Sequence, residues 1–232
     1  MQRIRDGIIV ALLLVLAGYF FWEEPRRPID PLTGKLPLAV AGLVQPFERG
    51  KGPNLAAQVA SFAGGRWRLD QVAVVPGVAV APDGSKTADG LVETSDYDRH
   101  RIETAVPDVT AGGIYTLSIY VRPIERNAMQ FEMRGQKPGK FGIVQFNFND
   151  KAVTYAGGDV SDFGMEALPG GWFRCWAAMP YSDDTAVFNF ALLGWQSPII
   201  YKGDKSAGLL IWGVQFEPGN RPRGYAASGT AQ

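Results

Sequence analysis

Apolar and polar residues alternate in short runs over most of the chain after residue 67. The runs lie at 71–75, 115–121, 129–133, 143–148, 172–177, 187–191 and 209–214. A period of two, with turn-forming residues between the runs, is typical of half-buried antiparallel strands. The pattern therefore predicts an all-β domain over residues 54–232, built as an antiparallel two-sheet jelly-roll β-sandwich.

One stretch near the start of the chain is apolar throughout and does not alternate. Residues 7–22 (GIIVALLLVLAGYFFW) carry no charge, follow Arg3 and Arg5, and end in aromatic residues typical of a membrane interface. As a helix the stretch would rise about 24 Å, slightly less than the roughly 30 Å of a bilayer core. We expect a single transmembrane helix; a cleaved signal peptide and a buried core helix are the alternatives. The residues expected in the anchor are Ile8, Leu13, Leu16, Tyr19, Phe20, Phe21 and Trp22.

The segments on either side of this helix set the expected orientation. Residues 1–6 form a short tail, and residues 23–53 form a proline-rich linker, which predicts extended, polyproline-like backbone. Because the tail is very short and the following domain is large, we expect the N-terminus in the cytoplasm. The β-sandwich would then lie on the periplasmic or extracytoplasmic side. Residues 36–44 (LPLAVAGLV) are apolar for a free linker, so they should pack on the domain or on a partner.

Composition and charge narrow the range of functions. The chain has 232 residues, of which 46% are hydrophobic, enough for one sizeable core plus an extension. Its formal net charge is zero, so we expect no nucleic-acid partner. The single cysteine, Cys175, cannot form an internal disulfide, and we interpret it as a small buried residue in a strand.

The chain supplies few of the groups that catalysis needs. Its only histidine, His100, lies in a charged stretch, and the sequence has no Gly-x-Ser-x-Gly motif and no zinc, iron–sulfur, haem or nucleotide-phosphate motif. We therefore expect no enzyme, no catalytic residue and no cofactor. A structural calcium ion is the remaining alternative, although aspartate is also common in turns because it hydrogen-bonds the local backbone. The acidic residues in question are Asp150, Asp159, Asp162, Glu166, Asp183, Asp184 and Asp204.

Several aromatic residues fall outside the clearest alternating runs and are candidates for binding a sugar. These are Trp67, Tyr97, Tyr155, Trp195 and Tyr201. The best cluster is Trp195 with Gln196, because a tryptophan there stands beside polar residues in a loop bounded by glycine and proline. We take Trp195, Gln196, Tyr201 and Tyr155 as candidate ligand-binding residues; the alternative is that such aromatics fill the core of the sandwich.

Four ordered groups of residues carry a resemblance to a known family. They are Asn54-Leu55 with 81–91 (APDGSKTADGL), 113–121 (GIYTLSIYV), 170–175 (GGWFRC), and 208–219 (GLLIWGVQFEPG) with 221–230 (RPRGYAASGT). In this order the segments resemble carbohydrate-binding-module-like, concanavalin-like jelly-roll β-sandwich domains of phage tail and bacterial surface proteins. The resemblance covers about residues 54–230. It implies a domain that binds or holds other molecules without catalysis, with its ligand residues in variable loops.

Two functional hypotheses follow. The first is a non-enzymatic, membrane-anchored accessory subunit, whose β-sandwich and extended arm stabilise a larger membrane complex, such as a photosynthetic or other energy-transducing one. Its partners would be integral membrane proteins and, through the N-terminal helix, lipid. The alternative is a membrane-tethered, lectin-like module that binds envelope or extracellular polysaccharide. The first hypothesis accounts for the anchor and arm as well as the domain, so the sequence favours it.

Overall fold

The structure, a computed structural model, describes residues 53–226. The predicted transmembrane helix at 7–22 with its anchor residues, the tail at 1–6 and almost all of the linker at 23–53 lie outside the described residues. Between residues 53 and 226, no helix is long and apolar enough to cross a membrane.

The described part of the chain is built from β-strands with two short 3₁₀ turns, at Ala57–Val59 and Pro169–Gly171. The strands are β1 (Arg68–Asp70), β2 (Val72–Ala79), β3 (Ala88–Glu93), β4 (Tyr97–Asp98), β5 (His100–Pro107), β6 (Ile114–Pro123), β7 (Ala128–Gly135), β8 (Phe141–Asn147), β9 (Ala152–Gly158), β10 (Asp162–Ala167), β11 (Phe173–Pro180), β12 (Thr185–Leu192), β13 (Tyr201–Lys202) and β14 (Gly208–Pro218). Each alternating run of the sequence coincides with a strand, so the prediction of an all-β domain is confirmed.

The strands form two six-stranded antiparallel sheets. The first sheet has the order β1-β5-β12-β7-β8-β9, and the second has the order β10-β11-β6-β14-β3-β2. Strands β4 and β13 pair as a separate short ribbon. Consecutive strands repeatedly change sheet, as in β5 to β6, β6 to β7 and β11 to β12, which is the connectivity of a jelly-roll β-sandwich.

The hydrophobic core lies between the two sheets. In β12, Phe188 and Phe190 point inward, and the ring of Phe188 meets that of Phe216 from the second sheet at a centroid distance of 5.6 Å. Phe131 and Phe146 of the first sheet pack edge to face at 4.8 Å in the same core. Because side chains alternate along a strand, Asn189, which lies between Phe188 and Phe190, points away from the core.

The outer face of the second sheet is covered by the last described segment of the chain, residues 219–226. The ring of Tyr225 packs on Trp212 at 4.5 Å and on Tyr120 at 6.0 Å. The guanidinium of Arg174 donates to the carbonyl oxygen of Arg223 at 2.6 Å. This segment therefore occupies the second sheet, whereas the outer face of the first sheet has no comparable covering among the described residues.

Asn54 joins the two ends of the described domain. Its amide oxygen accepts the backbone N–H groups of Ala56 and Phe216, each at 3.0 Å. Its amide nitrogen donates to the carbonyl oxygens of Val214 at 3.1 Å and Ala226 at 3.4 Å. One side chain thus fastens the start of the domain to β14 and to the final described residue.

Candidate ligand-binding face

The outer face of the first sheet carries mostly polar side chains in register. One row crosses the strands through Asp70, Arg101, Ala191, Gln130, Gln145 and Tyr155. The next row crosses through Arg68, Glu103, Asn189, Glu132, Ile143 and Gly157. These two rows, together with Arg134 and Phe141, are called the outer face below. Neighbouring residues in a row are held about 5 Å apart by the strand pairing, so the face presents a regular array of chemical groups.

Amide groups are fixed at the centre of the outer face. The side-chain nitrogen of Gln145 donates to the side-chain oxygen of Gln130 at 2.9 Å. The side-chain nitrogen of Asn189 donates to the Glu132 carboxylate at 3.2 Å. The other amide atom of Asn189, its Oδ1, is buried and has no hydrogen-bond partner among residues 53–226. These amide groups are therefore held in place by side-chain hydrogen bonds, and Asn189, only 1% exposed, lies beneath the surface of the face.

Charged side chains on the outer face are linked in a chain of ion pairs. Asp70 accepts hydrogen bonds from Arg68 at 2.5 Å and from Arg101 at 2.9 Å. The hydrogen bond from Arg68 is the main reason that the pKa of Asp70 lies below its ordinary value, and Arg101 lowers this pKa further. Glu103 in turn lies 3.4 Å from Arg134. Positive and negative charges are therefore interleaved across the face.

Two exposed aromatic rings border the polar rows at the edge formed by β8 and β9. Tyr155 is 51% exposed and Phe141 is 50% exposed. A Cβ atom at Gly157 would lie 2.8 Å from Cζ of Tyr155, so this ring lies against the glycine backbone of β9. A Cβ atom at Gly158 would lie 3.1 Å from Cε2 of Phe141. Because both glycines lack side chains, the two rings can lie close to the strand.

Trp195 is 69% exposed and lies in a tight turn after β12. The backbone N–H of Ser197 donates to the carbonyl oxygen of Gly194 at 2.8 Å, which closes the turn. Gln196 has a φ of 63° and Ser197 a φ of 67°, both in the left-handed region that non-glycine residues seldom adopt. Trp195 and Gln196 therefore stand on a well-defined turn at the surface, and their role in binding stays a prediction.

The position of this turn relates it to the outer face. The backbone N–H of Leu193 donates to the carbonyl oxygen of Ala128, so the chain leaves the sheet beside the start of β7. That end of the sheet is the one nearest the row that contains Gln130 and Tyr155. Strands β7 and β8 separate β12 from β9, a span of about 14 Å. The structure thus places Trp195 and Tyr155 at different borders of one sheet.

Tyr201 lies in a different environment from the other candidate aromatics. It is only 9% exposed, its ring centroid lies 4.7 Å from that of His100, and the Arg126 guanidinium lies 5.0 Å from the ring. Its hydroxyl donates to the Glu93 carboxylate at 2.5 Å. Burial, followed by the hydrogen bond to Glu93, raises the pKa of Tyr201. The residue fastens the chain after the Trp195 turn and leaves little surface for a ligand.

The two remaining candidate aromatics also differ in exposure. Trp67 is buried against Phe62 and Phe190, and its indole N–H donates to the carbonyl oxygen of Val59 at 2.9 Å. It belongs to the core, as the alternative interpretation of these aromatics expected. Tyr97 is exposed on β4, in the short ribbon rather than on the outer face.

The residues considered for catalysis are enclosed by the protein. The ring nitrogens of His100 lie 2.7 Å from the carbonyl oxygen of Gln71 and 3.3 Å from that of Tyr201. Cys175 is buried in β11, where burial raises the pKa of its thiol well above the ordinary value. A thiol with a raised pKa is a poor nucleophile, so the position of Cys175 favours the predicted packing role.

Two of the acidic residues considered for calcium, Asp162 and Asp183, are engaged by the surrounding protein. Asp183 accepts backbone N–H groups from Lys137 at 2.7 Å and Thr185 at 3.2 Å, and Asp162 pairs with Arg221 at 2.8 Å. Within residues 53–226, no group of three or more His, Cys, Asp or Glu side chains is arranged to hold a metal ion. The structural calcium ion therefore stays a prediction.

The polar residues of the outer face were not singled out by the sequence. Gln130, Glu132, Gln145 and Asn189 are polar members of the alternating runs 129–133, 143–148 and 187–191, so the pattern already indicates which faces of their strands they share. The missing information is the strand order, which brings β12, β7 and β8 side by side. Because β12 is not consecutive with β7 and β8 in the chain, alternation alone could not assemble the array.

The comparisons with known proteins concern the fold. No family model and no curated protein matches the chain. Among solved structures, the enzymatically active domain of tailspike protein 4 from bacteriophage CBA120 is 12% identical, with a TM-score of 0.42, and the match covers 68% of this chain and 20% of that chain. TmCBM61, solved in complex with beta-1,4-galactotriose, is 10% identical with a TM-score of 0.42, covering 75% and 99%. The CBM22-1 xylan-binding domain of Paenibacillus barcinonensis Xyn10C is 14% identical with a TM-score of 0.41, covering 70% and 94%. Carbohydrate-binding modules and phage tail proteins are the classes to which the sequence resemblance pointed.

Proposed function

We propose that the domain binds a polysaccharide through the outer face of its first sheet, without catalysis. The observation that carries this proposal is the pair of exposed rings, Tyr155 and Phe141, beside rows of amide and carboxylate groups. A sugar ring has an apolar C–H face and a rim of hydroxyl groups. An aromatic ring can cover the first, and fixed polar groups can bind the second.

The geometry supports an extended ligand that crosses the strands. A sugar stacked on Tyr155 would have Gln145 beside it, and the next positions along that row are Gln130 and Ala191. Ala191 itself is fully buried among the longer side chains of the face, and the turn of Trp195 follows the end of β12. We propose that the stacking ring is Tyr155 and that Trp195 and Gln196 extend the site at its far border.

The hypothesis of a membrane-anchored accessory subunit depends on other parts of the chain. Its main arguments are the apolar stretch at 7–22 and the proline-rich segment at 23–53, which lie outside the described residues apart from Pro53. The described domain does not add support for a membrane complex or a lipid partner. The lectin-like alternative is the hypothesis that the geometry of the described residues supports best.

Binding to soluble polysaccharides in affinity gel electrophoresis tests the proposal. The wild-type domain should be retarded by at least one member of a panel of plant, bacterial and algal polysaccharides. Tyr155→Ala should then weaken binding by about 2 kcal/mol, or roughly thirtyfold, the usual effect of removing an aromatic anchor. Phe163→Ala is the matched control, because Phe163 is also exposed but lies on β10 of the second sheet.

The variant Trp195→Ala distinguishes binding on the outer face from binding on the turn of Trp195. If Trp195 only extends the site, this variant should weaken binding less than Tyr155→Ala does. The proposed site is wrong if Trp195→Ala abolishes binding while Tyr155→Ala leaves it unchanged, because the ligand would then sit on the turn alone. The proposed function is wrong if the folded wild-type domain binds no polysaccharide in the panel.

A further inference from the structure

We infer that the polysaccharide is a neutral one, without carboxylate or sulfate groups; this inference rests on the proposed function and adds the ligand class. The charged groups of the outer face indicate this ligand class. Its basic residues are Arg68, Arg101 and Arg134, and its acidic residues are Asp70, Glu103 and Glu132. The charges of these six side chains sum to zero.

Every guanidinium of this described face already has a carboxylate partner. Arg68 lies 2.5 Å from Asp70 and 4.0 Å from Glu103. Arg101 lies 2.9 Å from Asp70 and 3.9 Å from Glu132. The third guanidinium, that of Arg134, lies 3.4 Å from Glu103, as described above. An anionic ligand that approached any of these arginines would therefore also lie close to a carboxylate.

An anionic sugar would gain little electrostatic stabilisation on this surface. A carboxylate bound at one of these guanidinium groups would lie beside Asp70, Glu103 or Glu132, which carry the same charge. The repulsion between the two carboxylates offsets the attraction to the arginine, so the net gain is small. The charged end of the polar rows thus excludes uronic acids instead of attracting them.

A neutral sugar can bind at these charged groups without such repulsion. A hydroxyl group both donates and accepts hydrogen bonds, and each ion pair offers N–H donors and carboxylate lone pairs side by side. Glu132, for example, accepts from Asn189 at 3.2 Å and keeps further acceptor capacity. Hydroxyl groups can therefore bind at the paired charges without separating them, and such charge-assisted hydrogen bonds are stronger than those between neutral groups.

A polysaccharide panel at two salt concentrations tests the ligand class directly. The panel contains neutral polymers (xylan, mannan, galactan, mixed-linkage glucan) and acidic polymers (polygalacturonate, alginate, a sulfated galactan). Wild type should bind one or more neutral polymers and none of the acidic ones. Raising the salt from about 0.1 M to about 1 M, which shortens the Debye length from about 10 Å to about 3 Å, should change neutral binding by less than about twofold.

A charge-removal variant provides a gain-of-binding test. Glu103→Gln leaves Arg134 without a carboxylate partner while Arg68 keeps Asp70. This variant should gain binding to polygalacturonate, by about fivefold over the wild-type background, and salt should remove the gain. Asp162→Asn is the matched control, since it removes one negative charge from the second sheet and should bring no such gain.

The outcomes separate the ligand class from the proposed function. The inference is overturned if wild type binds an acidic polymer and added salt weakens that binding; the proposed function would then still stand. It is also overturned if folded Glu103→Gln shows no gain. Binding to no polymer at all would overturn the proposed function and the inference together. The wild-type panel does not depend on the folding of any variant, so a misfolded Glu103→Gln would still leave a decisive result.

Discussion

Replacing Glu93 with glutamine should destabilise the domain by about 3 kcal/mol and loosen the chain around Trp195. The Glu93 side chain is fully buried, and its carboxylate accepts hydrogen bonds from Arg126 Nε at 2.6 Å and Arg126 Nη2 at 3.0 Å. It also accepts from the Tyr201 hydroxyl at 2.5 Å and from the backbone N–H of Asp204 at 2.9 Å. These bonds join β3 to the segment that follows the Trp195 turn.

The expected magnitude follows from the burial of both partners. The side chain of Arg126 is only 15% exposed, so Glu93→Gln leaves a positive charge with little access to water. Breaking a buried ion pair by removing one partner costs about 3–5 kcal/mol. We take the lower end, because glutamine keeps the shape and can still accept from Tyr201. For a domain of this size, about 3 kcal/mol lowers the melting temperature by roughly 6–12 °C.

Urea denaturation and calorimetry measure this cost against a matched control. Asp162→Asn breaks the pair with Arg221, whose side chain is 75% exposed, and should cost less than about 1 kcal/mol. The double variant Glu93→Gln/Arg126→Met should cost less than the sum of the two single variants, because the residues interact directly. A buried ion pair between Glu93 and Arg126 does not stabilise the domain as expected if Glu93→Gln costs no more than Asp162→Asn, or if the two single costs simply add.

Two further predictions concern packing and pH. Gly164→Ala should destabilise the domain by about 1–3 kcal/mol, because the new Cβ would lie 2.8 Å from Cε2 of Trp176. Urea denaturation measures this cost, and an unchanged stability would mean that the Trp176 ring can move away freely. The pKa of Asp70 is lowered in the folded domain, chiefly by the hydrogen bond from Arg68. The ionised Asp70 therefore stabilises the fold above its ordinary pKa of 3.8, and this stabilisation is lost as the pH falls through the pKa that Asp70 has in the folded domain. The stability difference between wild type and Asp70→Asn, about 0.5–1 kcal/mol at pH 7, should therefore shrink towards pH 2, and a constant difference would contradict this.

The alternation of apolar and polar residues predicted the two-sheet fold, but the sequence of strand β3 does not show this alternation. All residues of β3 are buried, and its sequence ADGLVE does not alternate. Asp89 and Gly90 suggest a turn. The structure instead buries Asp89, which accepts the backbone N–H of Gly77 at 2.9 Å, and burial raises the pKa of Asp89. A buried polar residue with a distant partner can only be explained once that partner is in place.

Some features of the candidate site follow from the local sequence, and others depend on the tertiary fold. The exposure of Trp195 follows from its turn, and the sequence predicted a loop there, with a core position as the alternative. The burial of Tyr201 depends on its contacts with Glu93 and Arg126, which are remote from it in sequence. The outer face depends on the strand order. Local residue types thus indicate candidates, whereas tertiary contacts decide which of them reach a ligand.

The bonds of Asn54 have a consequence for how the domain could be displayed. Because this side chain ties residue 54 to Ala226, both ends of the described domain lie together at β14 of the second sheet. The proposed ligand-binding face belongs to the first sheet. Copies attached to a common support through either end would keep their ligand-binding faces unobstructed by the attachment. A chain with weak individual contacts could then hold a repetitive polymer by avidity, since several copies would engage neighbouring stretches of the same molecule.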